Sequence, residues 1–293
     1  MSAAAATWIA ADWGTTNLRV WAMSGSGTVL AAATSDDGMG RLTRDAYPAA
    51  LDRLTAGWPR VPVIACGMVG SRQGWAEAPY TAVPCPPLAN RLTRAGERTR
   101  IIPGLKQTAP ADVMRGEETQ IAGYLSLNPG WDGVICLPGT HTKWVHVSAE
   151  EVVSFQTVMT GDLFAAITGH TVLRHSTSQG WDDAGFAQGV DDAMSRPEKL
   201  AARLFSLRAE GLLNALPDAT ARARLSGLLI GAELAATKPY WLGQQIAVIG
   251  AGTLAGLYVR ALAAQSAPAT QVNADRATLA GLTAAYRRWK DQT

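Results

Sequence analysis

The amino-acid sequence predicts an α/β protein of two lobes, each a mixed sheet that contains a three-strand meander and packs against helices. Two observations lead to this class. A pattern of strand, Gly-Thr loop, strand, turn and strand occupies residues 7–33 and recurs at residues 133–157. The chain after the second copy is mostly helical in its apolar spacing. Because Gly14-Thr15 overlays Gly139-Thr140, we expect one polar hairpin in each lobe and an active site in the cleft between them.

The spacing of apolar residues predicts the individual elements. Strands are expected at 7–13, 18–23, 28–33, 61–66, 133–137, 143–147, 152–157 and 245–249. Helices are expected at 44–54, 113–126, 162–173, 183–194, 197–209, 219–236, 251–264 and 275–289. We place the N-terminal lobe at 1–111 and the C-terminal lobe at 112–274, and we expect the helix in 275–293 to pack back on the N-terminal lobe.

The composition excludes several classes of protein. The chain has 293 residues, 47% of them apolar, which is enough for two packed cores. Only 17% are charged and the net charge is +2, so nothing favours nucleic acid or an anionic membrane as a partner. Three widely spaced cysteines without a CxxC motif argue against a disulfide framework or structural zinc and indicate a cytoplasmic protein. A homodimer is the expectation from general frequencies.

Two apolar segments could be mistaken for targeting or membrane signals. The N-terminal stretch lacks a basic region and is interrupted by Asp12, so we expect no signal peptide. Residues 239–259 are uncharged and long enough to span a bilayer. Because this segment contains Pro239 and four glycines, a buried strand followed by a helix is the better interpretation.

The first Gly-Thr loop, residues 14–17, has the chemistry of a phosphate site. Gly14 lets the backbone approach a phosphate closely, and Thr15, Thr16 and Asn17 supply donors. Asp12, at the end of the preceding strand, can hold Mg²⁺ through water. The alternative is a plain hairpin with a capping Asp.

The second Gly-Thr loop, residues 138–143, repeats this pattern without an acid. Gly139, Thr140, His141, Thr142 and Lys143 are candidate phosphate contacts. One carboxylate in the pair of loops suffices for a metal, since a second would repel phosphate. A solvent-exposed strand lysine is the commoner interpretation of Lys143, and a hydrogen-bonded loop histidine is that of His141.

Two acids follow a glycine at residues 116–118. A carboxylate at a helix start is rigidly aimed and could accept a substrate hydroxyl proton during phosphoryl transfer, with Glu117 preferred over Glu118. Alternatively, both acids only complement the helix dipole.

A glycine turn at residues 250–252 supports two hypotheses. The run from Ile246 to Ala255 fits GxGxxA between a strand and a helix, and Asp275 could be a ribose-binding acid, as in a dinucleotide-binding protein. Gly250 and Gly252 could equally form a flat platform for an adenine ring. A lone fingerprint does not decide between them.

A loop at residues 67–80, the substrate loop, carries groups suited to a sugar acid. Arg72 could bind a carboxylate bidentately. Ser71, Gln73 and Glu77 could bind hydroxyls, and Trp75 offers an apolar wall. The alternative is a packed surface loop with one solvated arginine.

Together these motifs resemble the 2-dehydro-3-deoxygalactonokinase family along nearly the whole chain. The resemblance rests on DWGTTNLR from Asp12, GMVGSRQGWAEAPY ending at Tyr80, DVMRGEETQ from Asp112, LPGTHTKW from Leu137, MTGDLF from Met159 and LLIGAEL from Leu228. It implies the actin-like, ribonuclease H-like ATPase fold, and use of ATP and Mg²⁺ to phosphorylate 2-dehydro-3-deoxy-D-galactonate at its terminal hydroxyl, giving the 6-phosphate, in galactonate catabolism.

The resemblance also implies individual roles. Asp12 matches the metal-linked acid, Gly139-Thr140 the second phosphate loop, and Gly250 and Gly252 the adenosine turn. Gly116-Glu117 resembles the Gly-Asp of other sugar kinases. Asp162, a candidate substrate contact, stands where the family usually has Glu. Three alternatives stay open: a kinase for the gluconate epimer, an NAD-dependent oxidoreductase and a non-catalytic sugar-acid sensor.

Overall fold

The computed structural model describes residues 3–292 as an α/β protein with mixed sheets. Its strands are β1 Trp8–Trp13, β2 Leu18–Met23, β3 Val29–Ser35, β4 Val63–Gly67, β5 Thr81–Ala82, β6 Thr93–Ala95, β7 Thr99–Ile101, β8 Leu105–Thr108, β9 Ala111–Met114, β10 Gly133–Leu137, β11 Thr142–Ser148, β12 Glu151–Val158, β13 Ile246–Gly250 and β14 Ala269–Asn273. Its helices are α1 Tyr47–Leu54, α2 Glu117–Leu127, α3 Thr160–His170, α4 Asp183–Ser195, α5 Leu200–Leu213, α6 Asp218–Ala236, α7 Lys238–Trp241, α8 Gly252–Ala264 and α9 Ala274–Lys290.

The chain divides into two compact units. The first comprises the described residues up to Asp132, Val147–Ser154 and those from Asn273 onward, and the second comprises Gly133–His146 and Phe155–Val272. The division does not follow the expected boundary after residue 111, because α2 packs on α9 within the first unit.

The main sheet of the first unit has the strand order β3-β2-β1-β4-β7-β6. Strands β1, β2 and β3 form the predicted antiparallel meander, and β4 adds parallel to β1. Strand β1 is almost wholly buried, since both faces of the sheet are covered. Trp13 packs on Tyr47 of α1 on one face, and Trp8 stacks on Tyr286 of α9, with ring centroids 4.4 Å apart, on the other.

The sheet of the second unit repeats this arrangement with the order β12-β11-β10-β13-β14. The three consecutive strands of the meander come first, and β13 pairs parallel with β10. Helices α4 and α6 approach closely at Gly189, which has no side chain; an added Cβ would lie 2.4 Å from the Arg224 carbonyl oxygen. The two predicted meanders are therefore present as strands in equivalent sheet positions.

One predicted helix is wrong at its start. Residues 113–126 were expected to be helical, but residues 111–114 pair as a strand with β8. Gly116 has a φ of +110°, so the helix begins only at Glu117. The strands β5 to β9 were too short to be predicted. Within residues 3–292 none of the helices has both the length and the apolar character needed to cross a membrane.

Candidate active site

Asp12 lies at the end of β1, where the first meander meets β4. Its carboxylate is about one-fifth exposed, and Oδ2 accepts a hydrogen bond from Arg19 Nη2 at 2.5 Å. Arg19 also donates through Nη1 to Asp275 Oδ1 at 2.5 Å. Asp275 therefore forms an ion pair with Arg19. The pairing of Arg19 with two acids holds the Asp12 carboxylate in place at the strand end.

The first loop is held by a second glycine-rich segment that the sequence did not single out. The carbonyl oxygens of Gly14, Thr15 and Thr16 accept hydrogen bonds from the amides of residues 38–40 at 2.9–3.2 Å. A Cβ on Gly38 would lie 2.2 Å from the Thr16 carbonyl carbon, so only glycine fits. The loop carbonyls are thus occupied, while the side chains of Thr15, Thr16 and Asn17 stay exposed to a ligand.

Two glycines bring the start of α2 next to Asp12. A Cβ on Gly116 would lie 3.4 Å from Gly67 Cα, and one on Gly67 would lie 3.4 Å from Asp12 Oδ1. Both glycines have positive φ, which larger residues rarely adopt. The structure therefore places the proposed metal-linked acid and the proposed catalytic acids in one locality of the first unit.

The two candidate catalytic glutamates have different environments. Glu118 is fully buried, and its Oε2 accepts a hydrogen bond from the Gly116 amide at 2.6 Å. Burial, followed by repulsion from Glu117, raises the pKa of Glu118 to about 8. Glu117 is only half-buried, and its Oε2 accepts from the Arg115 amide at 3.0 Å. Glu118 is thus mostly protonated at neutral pH, and Glu117 is the acid that a substrate could reach.

The substrate loop combines exposed polar groups with a buried aromatic anchor. Arg72 is 82% exposed, with Nε 3.7 Å from Glu77 Oε1, and Gln73 is also exposed. Trp75 is partly buried against the rings of Trp13 and Tyr47, with centroids 6.2 and 6.1 Å away. Its indole therefore anchors the loop on the core of the first unit.

The side chain of Ser71 lies in the interior of the loop. Its Oγ is buried and has no hydrogen-bond partner among residues 3–292. A buried hydroxyl without a partner is unfavourable in the folded chain, which suits a ligand-binding position.

Two arginines for which no role was predicted hold this loop in place. Arg44 donates through Nη2 to the Arg72 carbonyl at 2.6 Å and through Nε to the Gly74 carbonyl at 3.2 Å. Arg115 donates to the Ala78 carbonyl at 2.8 Å, with its guanidinium 4.3 Å from the Tyr80 ring centroid. Because Arg115 directly precedes Gly116, it links the substrate loop to the turn before α2.

The second loop separates into exposed and buried residues. Thr140 and His141 are exposed, and His141 Nε2 lies 3.1 Å from Asp162 Oδ2, so two predicted site residues meet. Thr142 and Lys143 are buried. The expectation that Lys143 is a solvent-exposed strand lysine is wrong, because its Nζ turns inward and donates to Thr157 Oγ1 at 2.7 Å.

A pocket of about 310 Å³ lies beside the second loop, within the second unit. Its wall is mostly apolar and includes Gly139, Thr160, Phe164, Arg222, Leu254 and Tyr258. Leu254 follows the glycine turn, in which Gly252 has a φ of +58°. A largely apolar pocket with a few polar groups suits the base and sugar of a nucleoside.

The site is suited to a metal held jointly with phosphates. Among residues 3–292 no three acidic, histidine or cysteine side chains are grouped so as to hold a metal. Mg²⁺ in phosphoryl-transfer sites is commonly bound by one or two carboxylates together with water and substrate phosphates. The partly exposed carboxylate of Asp12, beside an exposed phosphate-type loop, fits this mode of binding.

Comparison with known proteins identifies relatives along nearly the whole chain. The sequence profile of a family described as 2-keto-3-deoxy-galactonokinase matches residues 12–285. The chain is 37% identical over 285 residues to the 2-dehydro-3-deoxygalactonokinase of Escherichia coli strain K12, covering 94% of this chain and 96% of the relative. It is 39% identical over 293 residues to a Rhizobium meliloti strain 1021 protein assigned the same activity, covering 95% and 96%.

Solved structures of other proteins also resemble this chain. A crystal structure of a Sinorhizobium meliloti protein assigned as a 2-dehydro-3-deoxygalactonokinase has a TM-score of 0.91 and 38% identity, covering 96% of this chain and 98% of that one. Component A of the (R)-2-hydroxyglutaryl-CoA dehydratase of Acidaminococcus fermentans has a TM-score of 0.54 and only 13% identity, covering 96% and 97%. That likeness concerns the fold alone, and the predicted actin-like ATPase fold is confirmed.

Proposed function

The chain belongs to the 2-keto-3-deoxy-galactonokinase family, and we propose that it transfers the γ-phosphoryl group of ATP to the 6-hydroxyl of 2-dehydro-3-deoxygalactonate. The observation that carries this proposal is the adjacency of Asp12 to the turn before Glu117, since a Cβ added to Gly116 would lie 3.4 Å from Gly67, and one added to Gly67 would lie 3.4 Å from Asp12 Oδ1. Phosphoryl transfer needs an acid linked to a metal and an acid for the acceptor hydroxyl in one place.

In this proposal the first unit carries out the chemistry. Glu117 accepts the proton of the substrate hydroxyl as the phosphoryl group arrives. Asp12 holds Mg²⁺ through water, and the bound ion offsets charge on the phosphates. Gly14, Thr15, Thr16 and Asn17 donate to phosphate oxygens.

The second unit holds the nucleotide. Its apolar pocket takes the adenosine beside the turn of Gly250 and Gly252, at Thr253 and Leu254, and the second loop contacts the phosphates through Gly139, Thr140 and His141. Thr142 and Lys143 contribute through the backbone, because their side chains are bonded in the interior.

The sugar acid is recognised by polar groups, most of them on the substrate loop. Arg72 pairs with the carboxylate, and Ser71, Gln73 and Glu77 bind hydroxyls. Trp75 holds the loop against the core of the first unit. Asp162, with its partner His141, accepts a hydrogen bond from a further hydroxyl. We also place the protein in the cytoplasm, in keeping with its three buried free thiols, and propose a homodimer.

A coupled ADP-release assay with a panel of 2-keto-3-deoxy sugar acids tests the activity and the substrate together. We expect Mg²⁺-dependent turnover with the highest kcat/KM for the galactonate compound, and phosphate on its 6-hydroxyl by ³¹P NMR. Preference for the gluconate epimer would overturn the substrate assignment. Binding of NAD but not ATP in a parallel titration would favour the oxidoreductase alternative instead.

A further inference from the structure

Glu233 is a buried acid that the proposed reaction does not use. It lies on α6 and is 2% exposed. Its Oε1 accepts a hydrogen bond from Trp144 Nε1 at 2.8 Å, and its Oε2 accepts from Tyr258 Oη at 2.7 Å and from Thr160 Oγ1. The Thr142 hydroxyl joins the network through Tyr258 Oη at 2.9 Å. Both carboxylate oxygens are therefore occupied by donors from other elements.

The partners of Glu233 come from three elements at or next to the nucleotide pocket. Thr142 and Trp144 lie on β11, which begins within the second loop. Thr160 is the first residue of α3, and Tyr258 lies on α8, which begins at the glycine turn. Thr160 and Tyr258 themselves line the pocket. One carboxylate thus joins two walls of the pocket, at Thr160 and Tyr258, to the strand that continues from the second loop.

The energetics argue against a role in core stability alone. Burying a carboxylate costs several kcal/mol, and an apolar residue of similar size is often as stabilising or more so. Burial raises the pKa of Glu233, while its hydrogen-bond donors oppose this shift. A fully bonded buried network does, however, fix the relative positions of its members more sharply than apolar packing does.

We propose that Glu233 is a positioning residue for the nucleotide, which sets the second loop, the start of α3 and the middle of α8 in the arrangement that accepts the nucleoside. The inference rests on the proposed function in taking the ligand of this pocket to be a nucleotide. It adds a determinant of nucleotide affinity that touches neither the phosphates nor the base.

The test compares Glu233→Leu with Glu233→Gln in the full-length protein. The probe is AMP in calorimetric titrations, together with KM for ATP and for the sugar acid. Glu233→Leu should weaken AMP binding and raise KM for ATP about tenfold or more, with KM for the sugar acid within about twofold. Glu233→Gln should stay within about threefold of the unmodified protein, since the amide oxygen accepts from Trp144 and the hydroxyls can reverse direction.

Two further variants keep the inference falsifiable. Tyr258→Phe removes a single oxygen and keeps the ring, so it should fold and weaken AMP binding about three- to tenfold. Leu207→Ala, a buried position on α5 outside the network, controls for lost stability. Unchanged AMP affinity in both Glu233→Leu and Tyr258→Phe, or equal weakening in Leu207→Ala, would overturn the inference. Failure of the proposed activity would appear separately, as AMP binding without sugar-acid turnover.

Discussion

The two Gly-Thr hairpins share a topology and differ in chemistry. Each joins the first two strands of a meander whose first strand pairs with a parallel strand, β4 in one unit and β13 in the other. In the overlay, Asp12 corresponds to Leu137, and Arg19 corresponds to Trp144. Arg19 bonds a partly exposed acid at the loop, whereas Trp144 bonds Glu233 in the interior.

This difference separates two tasks on one repeated scaffold. The first hairpin keeps its charged groups at the surface, where an acid, an arginine and exposed hydroxyls suit a metal and phosphates. The second hairpin has no acid of its own and instead bonds, through Trp144, the buried Glu233 of α6, which can shape a pocket but cannot touch a ligand. The following predictions would break or sharpen that separation.

The largest effect is expected at Asp12. Asp12→Asn removes the charge that holds the metal and should lower kcat about 10³-fold with the thermal midpoint little changed. Asp275→Asn is the matched control, because it removes the other acid bonded to Arg19, and it should keep kcat within about threefold. Steady-state kinetics of both variants check this; equal losses would contradict the assignment of Asp12.

The next largest effect is expected at Glu117. Glu117→Gln should lower kcat about 10²-fold through loss of the base. The buried neighbour offers the control, and Glu118→Gln should cost less than about tenfold, because Glu118 is already mostly protonated at neutral pH. A greater loss of kcat in Glu118→Gln than in Glu117→Gln would show that Glu118, and not Glu117, is the base.

A smaller effect is expected where α3 approaches the second loop. A Cβ on Gly161 would lie 2.3 Å from the Gly139 carbonyl oxygen, so Gly161→Ala must displace the loop. We expect KM for ATP to rise about tenfold, with kcat less affected. Gly169→Ala, on the same helix with nothing within 4 Å of its added Cβ, should leave KM unchanged and thereby control for the helix itself.

The smallest effect concerns the pH dependence of stability. The pKa of Glu118 is raised on folding from 4.5 to about 8, so the unfolded chain releases this proton at lower pH than the folded chain does. The stability of the protein therefore falls as pH rises between these values. Glu118→Gln abolishes this loss and should stabilise the protein by at least about 1 kcal/mol more at pH 8 than at pH 5. Denaturant unfolding of the variant and the unmodified protein at both pH values checks this. The same difference in unfolding free energy at pH 5 and at pH 8 would contradict the raised pKa of Glu118.

The sequence predicted the repeated meander because strands, turns and Gly-Thr pairs follow local rules. It also supplied the family motifs, and the family is confirmed. Local pattern could not indicate that residues 38–40 hold the first loop, since that contact joins segments more than 20 residues apart. The glycines at 38 and 40 were the available signal, because paired glycines often mark a close backbone approach.

Burial is the property that the sequence conveyed least well. Lysine is usually exposed when it lies on a strand, yet tertiary contacts bury Lys143. Glu233 lies in an apolar helical run, and nothing in the run reveals the three donors that meet it from other elements. The polar groups of the first loop are near one another in sequence and exposed, so their grouping was easier to predict than the interior of the second unit.

The separation of tasks is tested most directly by calorimetric titration of the unmodified protein and Asp12→Asn with AMP and with ATP, each with and without Mg²⁺. We predict that AMP affinity is the same in both proteins within about twofold. The increase in ATP affinity caused by Mg²⁺ should disappear in Asp12→Asn. Loss of AMP binding in this variant, or a full Mg²⁺ effect on ATP binding, would contradict the assignment of metal chemistry to the first hairpin and nucleoside binding to the second unit.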